Sequence, residues 1–321
     1  MSRNRSVGSH RSCPAPGLVG AVVALATLFG VVPSAWAGVA LGVVPNVPSS
    51  LTVGQELVPA SLTIINQSSG AEAALTVTLT QITLVPNCGV QLSAADCPAG
   101  AVDPNVLRLS GTGVGEAGTA CAGTVFTTSP VDAVQDKYAF SPSMPVVFGA
   151  AGTPSASCVI DFTVDVVRTP RNDASAAGAG LQTEQLAGAG GLASDGVNGA
   201  GAGFNEVTIN KAAIGPLATQ VSAATITLGG SFTDAAALTP APDAAPPTGT
   251  VTFRVFSDAA CTTQVATSTS TPNAAGTTAI SGGFTPAAAG TYHVIASYSG
   301  DANYNPSARA CGEANENVVV S

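Results

Sequence analysis

Short apolar runs in which every second residue is polar recur along most of the chain, and Gly, Pro, Asn and Asp separate them. In "SCVIDFTVDVV", residues 157–167, the apolar positions run from Ile160 to Val166, and Asp161 and Asp165 lie between them. This period of two places apolar side chains on one face of a strand and polar ones on the other, so we expect both acids to face water. No sustained helical period accompanies these runs, and the pattern predicts an all-β protein.

The predicted strands divide into two groups, with a boundary in "NKAAIGPLAT", residues 210–219. The second group has seven short strands, the number typical of a two-sheet sandwich. They are predicted at 219–228, 231–237, 249–257, 264–270, 277–284, 291–299 and 316–320. We therefore predict two consecutive antiparallel β-sandwich (immunoglobulin-like) domains, residues 38–212 and 213–321.

One stretch of the first domain has a different composition. Residues 172–204 are rich in Gly and Ala, and Ala-Gly-Ala-Gly begins at positions 177, 187 and 200. Such residues bury little apolar area to offset the entropy lost on ordering the chain. The composition predicts Gly/Ala-rich loops around one weak strand near residues 181–186.

The chain begins with the features of an export signal. Arg3, Arg5 and Arg11 precede an apolar run of 16 residues, 17–32, and the following "SAWAG" contains a small-x-small pattern that ends at Ala37. This order predicts a signal peptide that is cleaved after Ala37. The run is shorter than the roughly 20 residues that a spanning helix needs, so we expect no membrane insertion after cleavage. The predicted location is extracellular, secreted or associated with the cell surface.

Loss of the signal peptide would make the chain strongly acidic. Seven basic residues would remain against all 19 acidic ones, a formal charge of −12. Nucleic acids and anionic membranes bind clusters of Lys and Arg, which a chain of this composition lacks. The charge therefore excludes nucleic acid as a partner.

Six cysteines follow the signal peptide, an even number that predicts three disulfide bonds in an exported protein. They allow fifteen pairings, but four lie in the first predicted domain and two, Cys261 and Cys311, lie in the second. Within the first domain we favour Cys88 with Cys97 and Cys121 with Cys158. Zinc would need Cys-x-x-Cys or Cys and His at short spacing, and the sequence contains neither pattern.

Three separated blocks of the second domain carry a resemblance to a known family. They are "GTVTF" from Gly249, "GTYHVIASYSGD" from Gly290 and "CGEANENVVV" from Cys311. In this order they resemble a bacterial immunoglobulin-like (Big-type) repeat of exported cell-surface proteins, over residues 217–321. The resemblance implies a bridge between Cys261 and Cys311. The order "AAGTYHV" also predicts a tyrosine corner, in which the Tyr292 phenol bonds to upstream backbone.

The rest of the chain is similar to a companion β-sandwich module of secreted proteins, over residues 38–212. Its segments "LTVGQ", "ITLVPNCG", "AGTACAGTVF" and "CVIDFTVDV" carry this similarity. The resemblance implies exposure outside the cell and adhesive or structural work, without naming a ligand. The repeat departs from its family in "ALTPAPDAAPP", residues 237–247, which predicts an expanded loop.

The stretch "SGDANYN" admits two interpretations. Asp301 and Asn303 could supply oxygen ligands to calcium, and Asn305 fits the fifth position of a calcium loop. The twelfth position, where such a loop needs Glu, is Gly312. Gly, Asp and Asn also make tight turns, and we favour a turn over a calcium site. No other cofactor is predicted.

An active site is not expected. The single histidine beyond the signal, His293, lies in mid-strand, and no Gly-x-Ser-x-Gly motif occurs. Asp161 and Asp165 resemble a glycosidase pair in spacing alone, because an outward strand face offers no pocket. We predict a non-enzymatic, monomeric structural or spacer module. The alternatives are an adhesin that binds an extracellular protein or a cell-wall glycan through sandwich loops, and a secreted enzyme of unrecognised type.

Two further expectations bear on these alternatives. Binding through loops would be indicated by aromatic or apolar residues clustered at one end of a sandwich, but we expect the candidates to pack in the core. These candidates are Tyr138, Phe140, Phe148 and Phe204. The chain also stops at Ser321 without a sorting motif or a second apolar span, so we expect either free secretion or an incomplete chain.

Overall fold

A computed structural model describes residues 39–68, 77–88, 106–132, 137–170, 181–187, 193–194, 197–201 and 203–321. These residues form β-strands and loops, with one short 3₁₀ turn at Pro154–Ala156. The prediction of an all-β fold is confirmed. The predicted signal segment and Cys97 lie outside the described residues. Within the described ranges, no helix is long and apolar enough to cross a membrane.

Before residue 211 the described chain forms strands β1 to β13. They are β1 (Val39–Asn46), β2 (Ser50–Thr52), β3 (Val58–Asn66), β4 (Val77–Cys88), β5 (Leu107–Gly115), β6 (Val125–Asp132), β7 (Lys137–Pro142), β8 (Val146–Phe148), β9 (Ser157–Val166), β10 (Leu181–Ala187), β11 (Ala193–Ser194), β12 (Val197–Gly201) and β13 (Gly203–Asn210). Their hydrogen bonds follow the path β12-β1-β3-β9-β5-β6-β7-β4-β10-β13-β2, and β8 and β11 pair with β4. Most neighbours on this path are antiparallel.

This sheet folds over on itself around an apolar core. Strands β7 and β9 are three positions apart on the path, which in a flat sheet would separate them by about 14 Å. The rings of Phe140 on β7 and Phe162 on β9 are nevertheless 5.1 Å apart. Phe140 and Phe148 are fully buried, as predicted for core residues. The alternating apolar positions of β9 also face this core, which explains their period of two.

One expectation for β9 is wrong. Asp161 is exposed as predicted, but Asp165 is buried. Its carboxylate accepts a hydrogen bond from the N–H group of Leu57 at 2.9 Å, and Arg108 lies 3.5 Å away. Strand β9 lies between β3 and β5, and Leu57 immediately precedes Val58 of β3, which pairs with Val164 of β9. The acid therefore serves as an acceptor for a neighbouring turn.

The Gly/Ala-rich stretch contains more strand than its composition predicts. The strand expected near residues 181–186 is β10, which pairs with β4 and β13. Strands β11 and β12 and the start of β13 also lie where loops were expected. Strand β12 pairs in parallel with β1. Backbone hydrogen bonds to neighbouring strands stabilise these segments, and they do not depend on side-chain composition.

After residue 211 the chain forms nine strands in two sheets. They are β14 (Ala218–Val221), β15 (Thr225–Ile226), β16 (Asp234–Ala237), β17 (Val251–Phe256), β18 (Gln264–Ser270), β19 (Thr278–Ile280), β20 (Gly290–Tyr298), β21 (Ser307–Ala308) and β22 (Asn317–Val320). One sheet has the order β14-β16-β19, and the other has the order β15-β22-β20-β17-β18 with β21 on β20. All pairings are antiparallel except that of β15 with β22. Each predicted strand overlaps an observed one.

The apolar core of this region has two parts. One part lies between the two sheets and includes Phe232, Tyr292 and Val294. The other part includes Phe253 and Tyr298, and it is continuous with the core of residues 41–217. The two predicted sandwich regions are therefore packed against each other through apolar side chains.

Candidate functional site

The loop that follows β20 turns around the side chain of Asp301. The Asp301 Oδ1 atom accepts hydrogen bonds from the backbone N–H groups of Asn303, at 2.8 Å, and Tyr304, at 2.9 Å. An Asp side chain that bonds the backbone two residues ahead makes an Asx turn. Gly300, with φ of 72°, supplies the left-handed conformation immediately before it. The residues that suggested an ion site thus form a tight turn.

The second carboxylate oxygen of Asp301 ties this turn to two neighbouring segments. The Oδ2 atom accepts hydrogen bonds from the N–H group of Thr248 at 2.6 Å and from the phenol of Tyr298 at 2.9 Å. Burial would raise the pKa of Asp301, but the hydrogen bonds that it accepts outweigh burial and hold the pKa below its ordinary value. Burial, and then the Asp301 carboxylate, raise the pKa of the Tyr298 phenol. A neutral phenol thus faces an ionised carboxylate.

Other groups of the turn contact residues 38–212. The Asn303 Oδ1 atom accepts hydrogen bonds from the N–H group of Thr169 at 2.9 Å and from its hydroxyl at 3.2 Å. The Lys211 Nζ atom donates to the carbonyl oxygen of Asp301 at 2.5 Å. The N–H group of Ala212 donates to the carbonyl oxygen of Asn303 at 2.8 Å. We call the contacts of residues 301–305 with residues 38–212 the junction.

The loop between β16 and β17, which the sequence predicts as expanded, packs beside the junction. Its Asp243 carboxylate is 3.1 Å from the Arg108 guanidinium, and the Ala245 N–H group donates to the Val167 carbonyl oxygen at 3.0 Å. The Tyr304 phenol donates to the Ala245 carbonyl oxygen at 3.0 Å. The extra length of this loop therefore supplies contacts to the first predicted sandwich.

The oxygens of the predicted calcium ligands are engaged by hydrogen-bond donors. Both carboxylate oxygens of Asp301 and the side-chain oxygen of Asn303 accept bonds from N–H and O–H groups. A calcium ion would have to displace these donors, since it binds the same lone pairs. Across the residues that the structure describes, no group of three or more His, Cys, Asp or Glu side chains could hold a metal ion.

Two disulfide bonds join four of the described cysteines. Cys121 is bonded to Cys158, which ties the loop after β5 to β9, and Cys261 is bonded to Cys311. These are the pairings that the sequence and the family resemblance predict. The bridge between Cys88 and Cys97 stays a prediction.

The remaining predicted residues lie in β20. The Tyr292 phenol donates to the carbonyl oxygen of Ala288 at 3.0 Å, the contact that a tyrosine corner requires. The His293 Nδ1 atom lies 2.5 Å from the Asn317 side-chain oxygen, so the histidine pairs with a neighbouring strand. Sequence reasoning missed Thr169, whose partner at the junction is 134 positions away. No local pattern marks such a residue.

A comparison against protein families concerns the region that contains β14 to β21. Residues 219–315 match the family model of the bacterial Ig-like domain (group 3). The resemblance predicted for residues 217–321 is thereby confirmed. Within the matched residues, Val294 occupies the inner face of β20 and is buried. A comparison with curated protein sequences gave no match.

Solved structures with some similarity include three Ig-like or cohesin proteins. The Escherichia coli adhesin FdeC is 12% identical, with 86% of this chain and 64% of that chain covered and a TM-score of 0.25. Murine CEACAM1b is 8% identical, with 87% and 98% covered and a TM-score of 0.22. The type II cohesin dyad of ScaA from Acetivibrio cellulolyticus is 10% identical, with 88% and 96% covered and a TM-score of 0.22. The chain thus spans under two thirds of the FdeC structure.

Proposed function

We propose that the chain is a non-enzymatic exported protein, secreted or held at the cell surface, and that residues 38–321 act as one stiff structural spacer. The observation that carries this proposal is the continuous apolar core that runs from residues 41–66 to Tyr298 and Tyr304. The junction adds hydrogen bonds at the same place. Relative motion of the two regions would expose this core, so we expect them to move together.

Cooperative unfolding tests the stiffness. Residues 38–321 should unfold in one thermal transition, measured by circular dichroism and by differential scanning calorimetry, because the two regions share a core. A single rigid conformation of residues 38–321 should fit the small-angle X-ray scattering curve. Two well-separated calorimetric transitions, or scattering that only a flexible linker fits, would refute the spacer proposal.

Export is tested separately. The protein should appear in culture supernatant or washed cell wall, and its N-terminal sequence should begin at Gly38 if cleavage follows Ala37. A protein found only in the cytoplasm with its first residues intact would contradict export. That result would leave the rigidity of the folded part unaffected.

A second candidate function is adhesion, and one surface feature favours it. Val114, Val125 and Met144 are 46%, 43% and 60% exposed. Val114 and Val125 are cross-strand neighbours, and the N–H group of Ser143, next to Met144, donates to the Val125 carbonyl oxygen. Exposed apolar side chains that lie together often mark interaction surfaces. We call these three residues the aliphatic patch.

Binding assays distinguish adhesion from a passive spacer. Glycan arrays and pull-downs with cell-wall fractions should show enrichment over a charge-matched control protein if the chain is an adhesin. A Val125→Ser variant should lose this enrichment, whereas Val265→Ser, an equal change at another exposed valine, should keep it. Absence of enrichment for the unmodified protein would rule out adhesion to these ligands.

A further inference from the structure

Two acidic side chains are buried inside the bacterial Ig-like domain. Asp234, the first residue of β16, is 1% exposed, and Glu316, one residue before β22, is 0% exposed. Strands β16 and β22 belong to different sheets, so the two residues meet across the interior of the sandwich. Each carboxyl group is among the groups that shift the pKa of the other, so the two interact. Ionised acids are rarely buried unless they are paired with a cation or well hydrogen-bonded.

The surroundings do not satisfy two carboxylates. Among the described residues, none of the four carboxyl oxygens has a hydrogen-bond partner of good geometry when both groups are ionised. The backbone N–H groups of Ala235 and Gln220 lower the pKa of Asp234, but burial outweighs them. The Thr219 hydroxyl lies on the Glu316 side and is also buried. A carboxyl group that kept its proton could donate to the other and satisfy both.

The nearby charges also disfavour two ionised acids. Arg309 is the cation that faces Glu316, and it already forms an ion pair with Glu313. A single positive charge would then face three negative ones. Strands β14 and β19, on either side of β16, contain no titratable residue. On β20, which neighbours β22, His293 bonds to Asn317 and not to Glu316.

We propose that Asp234 and Glu316 share one proton in the native sandwich, as a carboxyl group hydrogen-bonded to a carboxylate, and that this proton makes the contact between the sheets sensitive to pH. When base removes the proton to solvent, two adjacent buried carboxylates remain and repel each other. The contact between β16 and the chain that leads into β22 then weakens.

The pKa values place the state with one shared proton between about pH 6 and pH 7. Burial raises the pKa of Asp234 to about 6, and burial with repulsion from Asp234 raises the pKa of Glu316 to about 7. In the unfolded chain both groups ionise near their ordinary values of 3.8 and 4.5. The native state therefore binds more protons than the unfolded state over this interval. The contribution of these two acids to the free energy of unfolding is therefore complete below about pH 4. It decreases as the pH rises to about 7 and is constant above that.

Thermal unfolding of residues 38–321 across pH tests the proposal. The melting temperature of the unmodified protein should decrease between pH 5 and pH 8. In Glu316→Gln the amide N–H group replaces the shared proton at every pH, so this decrease should shrink to less than half. Asp161→Asn is the matched control, because it removes the charge of an exposed acid on β9, away from this pair, and it should keep most of the decrease.

An infrared measurement provides a readout that does not depend on unfolding. At pH 6 the unmodified protein should show the carbonyl band of a protonated carboxyl group, and Glu316→Gln should lack it. If Glu316→Gln does not fold, Asp234→Asn takes its place in this measurement. An unchanged melting temperature from pH 5 to pH 8, or an equal decrease in Glu316→Gln, would overturn the proposal. A third result would also overturn the proposal: calcium raises the melting temperature of the unmodified protein at pH 8 but not that of Glu316→Gln. A cation would then occupy the place that the proposal gives to the proton.

Discussion

Replacement of Asp301 by Ala tests whether the turn after β20 is a structural element or an ion site. The substitution removes the acceptor for two donors on buried residues, the phenol of Tyr298 and the N–H group of Tyr304. A buried donor left without an acceptor costs about 1–3 kcal/mol. The two donors share one acceptor group, so their costs do not simply add. We expect a loss of about 3 kcal/mol in the free energy of unfolding.

The corresponding drop in melting temperature is about 5 °C for a unit of roughly 280 residues that unfolds together. It should be measured by circular dichroism with calcium and again with a chelator, and the drop should be equal in both. Asp258→Ala is a suitable control, because Asp258 caps Thr262 and Thr263 in the same manner but on an exposed loop. Its drop should be smaller.

Two results would contradict this reasoning. A melting temperature of Asp301→Ala within a degree or so of the unmodified protein would show that the hydrogen bonds of the turn contribute little. A rise of several degrees when calcium is added to the unmodified protein, absent in Asp301→Ala, would restore the calcium hypothesis for Asp301 and Asn303. Magnesium at the same concentration would serve as the comparison, since calcium sites with flexible loops discriminate between the two ions.

Three further substitutions probe other contacts. Tyr292→Phe removes the bond to the Ala288 carbonyl oxygen and should destabilise by about 1 kcal/mol, measured by urea unfolding with an unchanged slope. Joint replacement of Cys121 and Cys158 by Ser opens a loop of 37 residues and should lower the free energy of unfolding by about 4 kcal/mol. Chemical reduction should destabilise this double variant less than it destabilises the unmodified protein. Thr169→Val removes a hydroxyl of the junction and should lower the melting temperature while unfolding stays a single transition. Two separate transitions would show that the junction, and not the shared core, holds the two regions together.

The sequence predicts features that depend on neighbouring residues better than those that depend on distant ones. The period of two in β9 and β20 places apolar residues on one face, and the structure buries that face. The turn at Asp301 follows from the residue types in one short stretch. Such signals are local, so a single sequence contains them.

The contacts that join distant segments escaped prediction. The bond between Thr169 and Asn303 depends on how two sheets dock, which periodicity does not encode. Asp165, Asp234 and Glu316 look like surface residues because acids are rarely buried, and only the position of their strands in the sheets reveals otherwise. The contacts of the expanded loop after β16 with Arg108 and Val167 likewise join segments that are distant in the sequence.

The parallel pairing of β15 with β22 determines how the second predicted domain, residues 213–321, would carry mechanical load. Strand β15 lies near the start of the domain and β22 at its end, and they pair in register from Thr225 with Val319 to Ile226 with Val320. Tension that pulls the two strands in opposite directions acts along their length. The hydrogen bonds between Val319 and Ala224, Ser321 and Ile226, and Leu228 and Ser321 are then loaded in shear, and must break together instead of one after another.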